Sequence, residues 1–376
     1  MSTLDSTVEV TGRVVDGVAL TDRQGAFGGR DVVGPRVDVA FLRQVLADRS
    51  AIPEVFSSAI REFLQRVDSL QKLTGRLRGG ACSGFEREYR EICRSIDGAP
   101  WYDNAITPQT KHTIAKNRYS DVLPFERTRV RLPAAISTGP AGDYINANFI
   151  DDTYIACCAP IPNVLADFWH MIWHSDVHVI LMLTNFVERN RRKADLYWDS
   201  RGHAIDFNGV FVQLVQEEQH PASDGFIIRM FKVWTSATES QPRLVQHVQL
   251  TIWPDHGVLR DFQVIAPMLQ LVNSYRDQAA LTSGRAARIV VHCSAGIGRS
   301  GTFIAIDIIL QALHGAFRMH ASDASSSSVE LLRQSLNVPQ IVHRIRSQRP
   351  GMVQTPEQYE MIYRYIAAIL TNSAAW

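Results

Sequence analysis

The 376-residue sequence lacks an excess of charge of either sign, because 39 lysines and arginines stand against 38 aspartates and glutamates. Without a global positive charge, neither nucleic acid nor a membrane surface is an expected partner. The chain also lacks an apolar run of the roughly 18 residues that cross a bilayer. Its first ten residues do not resemble a signal peptide. These absences predict a cytoplasmic protein without a membrane span.

Cysteine is scarce and has no pairing pattern. The five cysteines are odd in number and contain no C-x2-C pair. This argues against a disulfide framework and against a zinc site. No cluster of histidine and aspartate has the spacing of metal ligands, so neither a metal nor another cofactor is predicted.

The stretch 289–303, IVVHCSAGIGRSGTF, carries the clearest chemical signal. Its β-branched start, glycine turn and following apolar run predict a strand, a tight loop and a helix. Such a loop directs backbone N–H groups at a tetrahedral oxyanion and favours the thiolate form of Cys293. Arg299 can hold two phosphate oxygens. A buried, inert cysteine is the alternative, but His292, the two glycines and Ser300 favour an anion site.

The rest of the sequence predicts an α/β fold with a mixed sheet. Apolar periodicity predicts helices at 37–46, 55–73, 85–96 and 165–174, and an unbroken apolar run predicts a buried strand at 177–183. Alternating patterns predict antiparallel strands at 205–216, 225–236 and 243–251. We expect residues 1–53 to be a partly disordered extension, 54–376 to be the catalytic domain, and serine-rich 321–328 to be a mobile surface loop.

Several residues outside the cysteine stretch are candidates for a site. Tyr119 lies on a predicted loop, where it can wall a pocket, although packing is favoured for an aromatic residue taken alone. Glu188 and Lys193 follow a buried strand, at the end where α/β proteins bind ligands. Asp255 lies in the sequence Trp-Pro-Asp-His-Gly, which is typical of a hinged loop but also of an ordinary turn.

Taken in order, these segments resemble the protein tyrosine phosphatase family, in its tyrosine-specific, non-receptor, cysteine-dependent form, over residues 54–370. Residues 292–301 resemble its catalytic signature, 253–258 its mobile acid loop and 116–125 its phosphotyrosine-recognition loop. Shorter matches lie at 143–148, 167–169 and 354–359. The chain departs from the family at Cys157-Cys158-Ala159, where Thr-Gln-Gly is usual. The resemblance implies a central, highly twisted mixed β-sheet flanked by helices.

The resemblance also implies an enzyme that hydrolyses phosphotyrosine in proteins or peptides and acts as a monomer without a cofactor. Cys293 would attack phosphorus and form a phosphocysteine intermediate, and Arg299 would hold the phosphate. Asp255 would act as general acid and then as general base. Gln354 would place the attacking water, and Ser300 would ease the departure of the sulfur.

The resemblance also implies residues that contact the substrate and residues that position the catalytic side chains. Tyr119 would wall a cleft too deep for phosphoserine or phosphothreonine, and Asp121 would accept a hydrogen bond from the substrate backbone. Glu188 would pair with Arg299, and Lys193 would meet Asp255. The remaining residues are the phosphate-binding backbone of Ser294, Ala295, Gly296, Ile297 and Gly298, with Gln358, His292 and Trp253 in supporting positions.

Some alternatives stay open at this stage. Arg346 and Arg349 either extend a positive rim for acidic or doubly phosphorylated peptides or pair within the fold. An inactive phosphotyrosine-binding module would be expected to have lost Asp255, Cys293 or Arg299, and all three are present. A phosphoinositide phosphatase tends to carry basic residues in the loop, which has none. A sulfur-transfer enzyme would not need the Trp-Pro-Asp segment.

Overall fold

The chain folds into alternating helices and strands, which the computed structural model describes over residues 37–77, 80–134, 136, 139–219, 225–254, 257–259, 262–322 and 326–372. The α-helices are α1 (Val39–Ala47), α2 (Glu54–Gln71), α3 (Gly84–Asp97), α4 (Tyr102–Ala105), α5 (Lys111–Ile114), α6 (Leu165–His174), α7 (Ile265–Ser283), α8 (Gly298–Ser322), α9 (Ser326–Ser335), α10 (Val338–Gln348) and α11 (Pro356–Leu370). The strands are β1 (Leu73–Leu77), β2 (Gly80–Ser83), β3 (Arg129–Arg131), β4 (Tyr144–Ile150), β5 (Tyr154–Cys157), β6 (Val177–Met182), β7 (Val187–Glu188), β8 (Arg191–Arg192), β9 (Ile205–Phe207), β10 (Val210–Gln219), β11 (Phe226–Trp234), β12 (Arg243–Leu250) and β13 (Arg288–His292). Short 3-10 helices lie at Arg49–Ala51 and Pro162–Val164.

A nine-stranded mixed sheet organises the fold, in the order β3-β4-β5-β13-β6-β12-β11-β10-β9. β13 pairs in parallel with β5 and β6, and β6 pairs in parallel with β12, while the outer strands are antiparallel. The predicted α/β class with a mixed sheet flanked by helices is therefore confirmed. The single strand predicted at 205–216 is wrong, because Asn208 (φ 57°) and Gly209 (φ 94°) turn the chain and separate β9 from β10.

β13 lies in the interior of the sheet and is covered on both faces. Ile289 and Val291 belong to the core that also contains α7, α8, α10 and α11, whereas Val290 belongs to the core built around α6. A strand buried on both faces requires apolar residues at successive positions, which explains the unbroken run of β-branched side chains. Packing on both sides therefore fixes the carboxyl end of β13, where Cys293 follows.

Local capping signals set the ends of the helices near this strand end. The Ser83 side chain accepts a hydrogen bond from Glu86 N at the start of α3 (3.2 Å), and the Thr355 side chain accepts one from Gln358 N at the start of α11 (3.3 Å). Pro356 occupies the first position of α11, where its missing N–H would have no helical partner.

The four predicted helices at 37–46, 55–73, 85–96 and 165–174 are confirmed, each within two residues of its predicted ends.

The serine-rich stretch differs from its prediction. Ala321 and Ser322 complete α8, and α9 begins at Ser326, so the described part of 321–328 is helical and not a surface loop. Packing overrides the turn preference of serine here, because α9 buries Leu332 completely in the core that contains α8. Residues 323–325 lie outside the described residues, as do residues 1–36, where disorder was predicted.

Helix α1 lies within the segment predicted as an N-terminal extension. Its residues Val39, Leu42 and Leu46 are buried in the same core as α8 and α11. The helix therefore packs as part of the folded unit, and the division of the chain at residue 54 stays a prediction.

One helical stretch in the described residues, Gly298–His320 of α8, has the length and apolar composition of a membrane span. Its side chains are mostly enclosed by protein, since 78% of the apolar window is buried inside the fold. A helix that is apolar on all sides is typical of the centre of a large domain as well as of a membrane. The stretch is thus weak evidence for a span.

Candidate active site

Residues 293–298, which follow β13 and end at the first residue of α8, form the floor of the candidate site, and we call them the cysteine loop. β13 ends at His292 and α8 begins at Gly298, so the predicted order of strand, tight loop and helix is confirmed. Ala159 N donates to Ser294 O at 3.0 Å, which extends the pairing of β5 and β13 beyond both strands. The start of the loop is therefore held by the sheet itself.

Two glycines allow the cysteine loop to turn tightly. Gly296 has a φ of +70°, and a Cβ there would lie 1.9 Å from the carbonyl oxygen of Cys157. A Cβ on Gly298 would lie 2.9 Å from Gln358 Nε2. Only glycine fits at position 296, where the backbone would otherwise have to move, whereas a Cβ at position 298 would displace the ends of the Gln354 and Gln358 side chains. The turn brings the Gly296 N–H to 3.3 Å from Cys293 Sγ, which accepts its hydrogen bond.

The environment of Cys293 favours the thiolate. Burial by itself raises the pKa of this thiol, but the Ser300 hydroxyl, the Arg299 charge and the backbone N–H groups of Ser300 and Gly296 together lower the pKa below its ordinary value. The Ser300 hydroxyl is buried and has no hydrogen-bond partner among the described residues, so it is available to the thiolate. A thiolate held by directed donors is the reactive form of cysteine.

Arg299 is fixed at the start of α8 by a bidentate ion pair. Its Nη1 and Nη2 donate to Glu188 Oε1 and Oε2, each at 2.8 Å, and Nη1 also donates to Leu183 O at 2.9 Å. Burial raises the pKa of Glu188, but the hydrogen bonds and charge of Arg299 outweigh burial and lower it. A paired, oriented guanidinium is suited to grip an oxyanion. The predicted pairing of these two residues is present.

A chain of hydrogen bonds positions His292 behind the nucleophile. His292 Nδ1 lies 3.0 Å from Cys293 O, which can only accept, so Nδ1 carries the proton and Nε2 accepts from the Tyr197 hydroxyl at 3.0 Å. The same hydroxyl accepts from His247 Nε2 at 2.7 Å. Burial lowers the pKa of His292 to about 4. A neutral imidazole with both nitrogens in hydrogen bonds orients the backbone and is not suited to proton transfer at neutral pH.

A cavity of about 720 Å³ opens above Cys293 and brings most of the predicted site residues together. The predicted residues that line it are Tyr119, Asp121, Glu188, Lys193, Cys293, Ser294, Ala295, Gly298, Arg299, Gln354 and Gln358. The predicted residues that lie behind this lining are His292, Gly296, Ile297, Ser300 and Trp253.

Tyr119 serves both of the purposes that were weighed for it. Its half-buried ring packs against the small apolar cluster of Val122, Cys158 and Ile297. Its hydroxyl lies 2.8 Å from Ser294 Oγ, which in turn donates to Lys193 O at 2.7 Å. The ring is thereby fixed as one wall of the cavity. Asp121 lies further along the same loop and is exposed at the cavity.

The Trp-Pro-Asp segment is anchored at its described ends. Trp253 is buried, with its Nε1 donating to Gly257 O at 3.2 Å, and Pro254 O accepts from Arg299 Nη2 at 3.2 Å. These bonds hold both ends of the segment beside the cavity. Asp255 and His256 lie outside the described residues. The predicted contact between Asp255 and Lys193 therefore stays a prediction.

Gln354 and Gln358 reach the cavity from the start of α11. Gln354 N donates to Gln358 Oε1 at 2.9 Å, and both side chains come close to Gly298 of the cysteine loop. The Thr355 cap and this bond together fix the entry to α11. Two amide side chains beside the sulfur can orient a water molecule there.

Arg349 lies on the inner side of the cysteine loop and is completely buried. Its Nε donates to Gly296 O at 3.0 Å, and Nη2 donates to Ala295 O at 3.1 Å. The fork also donates to the side chains of Asn146 (3.0 Å) and Asn148 (2.9 Å). With these two loop carbonyls held inward, the peptide N–H groups of the loop turn toward the cavity.

Arg346 is also occupied within the fold. It is buried, pairs with Asp97 Oδ2 at 2.8 Å and donates to the carbonyl oxygens of Met352 and Val353 at 3.2 Å. Of the two interpretations left open for Arg346 and Arg349, the structure therefore favours pairing within the fold over a positive rim. Sequence alone did not reveal that Arg349 supports the loop.

Cys157-Cys158-Ala159, where the sequence departs from the usual Thr-Gln-Gly, lies directly beside the cysteine loop. Cys157 is the ladder partner of His292, and Cys158 Sγ donates to Ala295 O at 3.2 Å. Burial raises the pKa of Cys157 and of Cys158, so both are thiols. All five cysteines are free.

No group of three or more histidine, cysteine, aspartate or glutamate side chains within the described ranges has an arrangement that could hold a metal ion. The polar residues around the cavity instead form an oxyanion site with one cysteine of lowered pKa. This arrangement is suited to displacement at phosphorus by a cysteine.

The family model described as protein-tyrosine phosphatase matches residues 113–368. The human receptor-type tyrosine-protein phosphatase eta is 33% identical over 315 residues, which cover 82% of this chain and 21% of that protein. Tyrosine-protein phosphatase 3 of Dictyostelium discoideum is 36% identical over 266 residues, covering 68% of this chain and 25% of that protein. The chain thus spans about a fifth to a quarter of these relatives.

A solved structure also resembles this fold. It is a structure of PTPN18, described as the structural basis of its fingerprint on distinct HER2 tyrosine phosphorylation sites. The TM-score is 0.65 and the sequence identity is 26%. The similarity covers 83% of this chain and 99% of the solved one. The likeness thus extends over almost the whole of the solved chain.

Proposed function

This chain belongs to the protein-tyrosine phosphatase family, and on that premise we propose that it hydrolyses phosphotyrosine in proteins through a phosphocysteine intermediate. The observation that carries the proposal is Cys293, a cysteine of lowered pKa on the floor of the cavity, beside the Arg299 guanidinium that Glu188 holds in place. Nucleophile and oxyanion clamp are the two parts that cysteine-based phosphoryl transfer requires.

In the first step, the Cys293 sulfur attacks phosphorus in line with the tyrosyl oxygen. The S–P bond forms as the P–O bond to tyrosine breaks, and Asp255 gives its proton to the departing oxygen. Arg299 and the loop N–H groups hold the equatorial oxygens, where charge is spread in the transition state. The products of this step are free tyrosine hydroxyl and phosphocysteine.

In the second step, water attacks the phosphocysteine. Gln354, supported by Gln358, orients the water, and Asp255 takes a proton from it. The S–P bond breaks, and Cys293 leaves as a thiolate that Ser300 stabilises by hydrogen bonding. Inorganic phosphate is released and the starting state returns. Lys193 would pair with Asp255 when the acid loop closes.

Specificity for tyrosine is proposed to follow from cavity depth. The Tyr119 ring is held beside Ser294 by the hydrogen bond between their hydroxyls, and it walls the approach to Cys293. A phosphate must therefore stand on a long aromatic arm to reach the sulfur, which shorter phosphoserine cannot provide. Asp121, exposed at the cavity, would accept a hydrogen bond from the substrate backbone.

We further propose a cytoplasmic location and a role in phosphotyrosine signalling, with the chain acting as a monomer. Five free thiols suit a reducing compartment. The Cys293 thiolate would be oxidised reversibly by peroxide, because oxidation follows thiolate character.

The test is a comparison of phosphate release from a phosphotyrosyl peptide, a phosphoseryl peptide and a phosphoinositide, in the presence of a metal chelator. We expect release from the phosphotyrosyl peptide alone, and none from the Cys293→Ser variant. Release that the chelator abolishes, or release from the phosphoinositide in preference to the peptide, would contradict the proposal. Tight peptide binding without any release would favour an inactive binding module.

A further inference from the structure

The hairpin of β7 and β8 contributes a basic edge to the cavity. Val187 pairs with Arg192, and Glu188 pairs with Arg191, in an antiparallel ladder closed by two residues. Those two residues, Arg189 (φ 46°) and Asn190 (φ 59°), both have positive φ, as a type I′ turn requires. This tight turn fixes the direction of the side chains on either side of it.

Glu188 determines where Arg191 lies. Ladder partners share one face of a hairpin, so Arg191 is on the face of Glu188, whose carboxylate holds Arg299. Arg191 accordingly lines the same cavity as Cys293 and Arg299. An exposed cation therefore lies at the cavity, next to the clamp for the first phosphate.

The charge of Arg191 is not neutralised by the acids nearest to it in the ladder. Glu188 is fully engaged, because Oε2 accepts from Arg299 while Oε1 accepts from Arg299, Thr184 and Asn185. Asp195, the nearby acid, pairs with other arginines. No ion pair joins Arg191 to an acid within the described part of the chain.

The neighbouring arginine shows the contrast. Arg192 pairs with Asp195 Oδ1 at 2.7 Å, and Asp195 Oδ2 accepts a second bond from Arg118 at 2.6 Å. Arg192 thus shares a single carboxylate with Arg118, and its exposed side chain also reaches the cavity. Of these two cavity arginines, Arg191 is the one with no ion-pair partner among the described residues.

Two acidic residues lie on other sides of the cavity, while Arg192 and Lys193 also line it near the hairpin. Asp121 and Glu357 line it from the recognition loop and from α11, and both are exposed. An acidic group on a substrate is repelled near these residues and attracted at the hairpin. The lining of the cavity is therefore acidic at Asp121 and Glu357 and basic at the hairpin.

We propose that Arg191 forms an anion subsite that takes a second oxyanion of the substrate peptide, either an aspartate or glutamate carboxylate or a second phosphate. The inference rests on the proposed function and names the preferred class of substrate, phosphotyrosyl peptides with an acidic or phosphorylated neighbour. A peptide is favoured over a membrane phosphoinositide, because the Tyr119 wall requires a long arm and the cysteine loop has no basic side chain.

The experiment compares kcat/KM on peptides that differ only beside the phosphotyrosine: neutral, glutamate-containing at successive positions on either side, and phosphoserine-containing. For the wild type, we expect glutamate to raise kcat/KM by about fivefold at its best position, the upper range for a solvent-accessible charge pair. Phosphoserine should raise it by about tenfold, because hydrogen bonds to phosphate are stronger. Both preferences should weaken as salt is added.

Two substitutions test the residue itself. Arg191→Gln should bring the acidic-to-neutral ratio close to one, and Arg191→Glu should invert it. The matched control is Arg201→Gln, because Arg201 is exposed, pairs with Asp199 and does not line the cavity. The control should keep the wild-type ratio. Equal thermal unfolding of the variants would exclude misfolding as the cause.

Several results would overturn the subsite. They are a wild type without preference, an Arg191→Gln variant with the wild-type ratio, and an equal loss on neutral and acidic peptides. Arg191-dependent turnover of phosphoinositide vesicles without a peptide preference would also overturn it. If the wild type hydrolyses phosphotyrosyl peptides without preference, only the subsite fails. If it hydrolyses no phosphotyrosyl peptide, the proposed function fails and the subsite fails with it.

Discussion

The two sides of the cysteine loop carry the same two residue types with opposite chemistry. The cavity side has Cys293 and Arg299, and the inner side has Cys158 and Arg349. Burial raises the pKa of both thiols, yet the pKa of Cys293 ends below its ordinary value and that of Cys158 above it. The Cys158 sulfur accepts from Arg349 Nη2 at 3.7 Å, which does not offset burial, whereas the Ser300 hydroxyl, the Arg299 charge and backbone N–H groups together outweigh burial at Cys293.

The two arginines differ in the same way. Arg299 pairs with a carboxylate, Glu188, and lines the cavity, whereas Arg349 is fully buried and donates to neutral acceptors, including Ala295 O and Gly296 O. One guanidinium lines the cavity, and the other holds the backbone of the loop that forms the floor of the cavity. The partners of a residue, rather than its type, assign its function here.

Matched arginine-to-lysine substitutions should separate these roles with the largest effect. Arg299→Lys keeps the charge but loses the fork, so kcat/KM on a phosphotyrosyl peptide should fall by about 10²- to 10³-fold, as for loss of an oxyanion donor. Arg349→Lys should instead lower the free energy of unfolding by about 2–3 kcal/mol, because buried acceptors lose their donors. Peptide kinetics and urea unfolding measure the two effects.

An exposed arginine away from the cavity, Arg61 on α2, provides the control, and Arg61→Lys should change neither quantity. The comparison would break if Arg349→Lys lost as much activity as Arg299→Lys at unchanged stability. Arg349 would then act on the substrate through the loop more strongly than its contacts suggest.

The cavity side was predictable because its parts are close in sequence. Cys293, Arg299 and Ser300 lie within one strand, loop and helix, so local patterns sufficed. The Glu188 partner was inferred from the family resemblance, and the contact is present. The α/β class followed from apolar runs that reflect burial on both faces of the sheet.

The inner side was not predictable from local patterns. Arg349 meets Gly296 across 53 positions and Asn146 across 203, and no periodicity encodes such contacts. The two interpretations of Arg349 therefore stayed open until the fold was known. The prediction of a surface loop in the serine-rich stretch was wrong for a related reason. The packing of α9 in the core overrides the local preference of serine for turns.

Substitution of the proposed general acid, Asp255, should have the next largest effect. Asp255→Ala should lower kcat on a phosphotyrosyl peptide by about 10²-fold and leave peptide binding intact, since the general acid acts only in the transition state. Single-turnover kinetics and peptide affinity measure the two quantities.

Asp103→Ala is the control, because Asp103 lies on α4 and does not line the cavity. Unchanged turnover in Asp255→Ala would remove this residue from the mechanism. Weaker peptide binding with unchanged kcat would make it a substrate contact instead.

The smallest effect concerns the two thiols, and it tests the comparison most directly. Alkylation follows the thiolate fraction. Because the pKa of Cys293 is lowered, its alkylation rate should stay high as the pH falls through about 8.5, the ordinary value, and decline only below the lowered pKa. Cys158, buried and with a raised pKa, should remain unmodified over the same range.

Ser300→Ala removes a donor that lowers the pKa of Cys293, so the midpoint of the alkylation profile should move to higher pH. Cys158→Ser should leave the profile where it is in the wild type. Mass spectrometry after alkylation at successive pH values reads both outcomes. Modification of Cys158 before Cys293, or a Ser300→Ala profile that coincides with the wild type, would mean that directed donors do not separate the two sides of the loop.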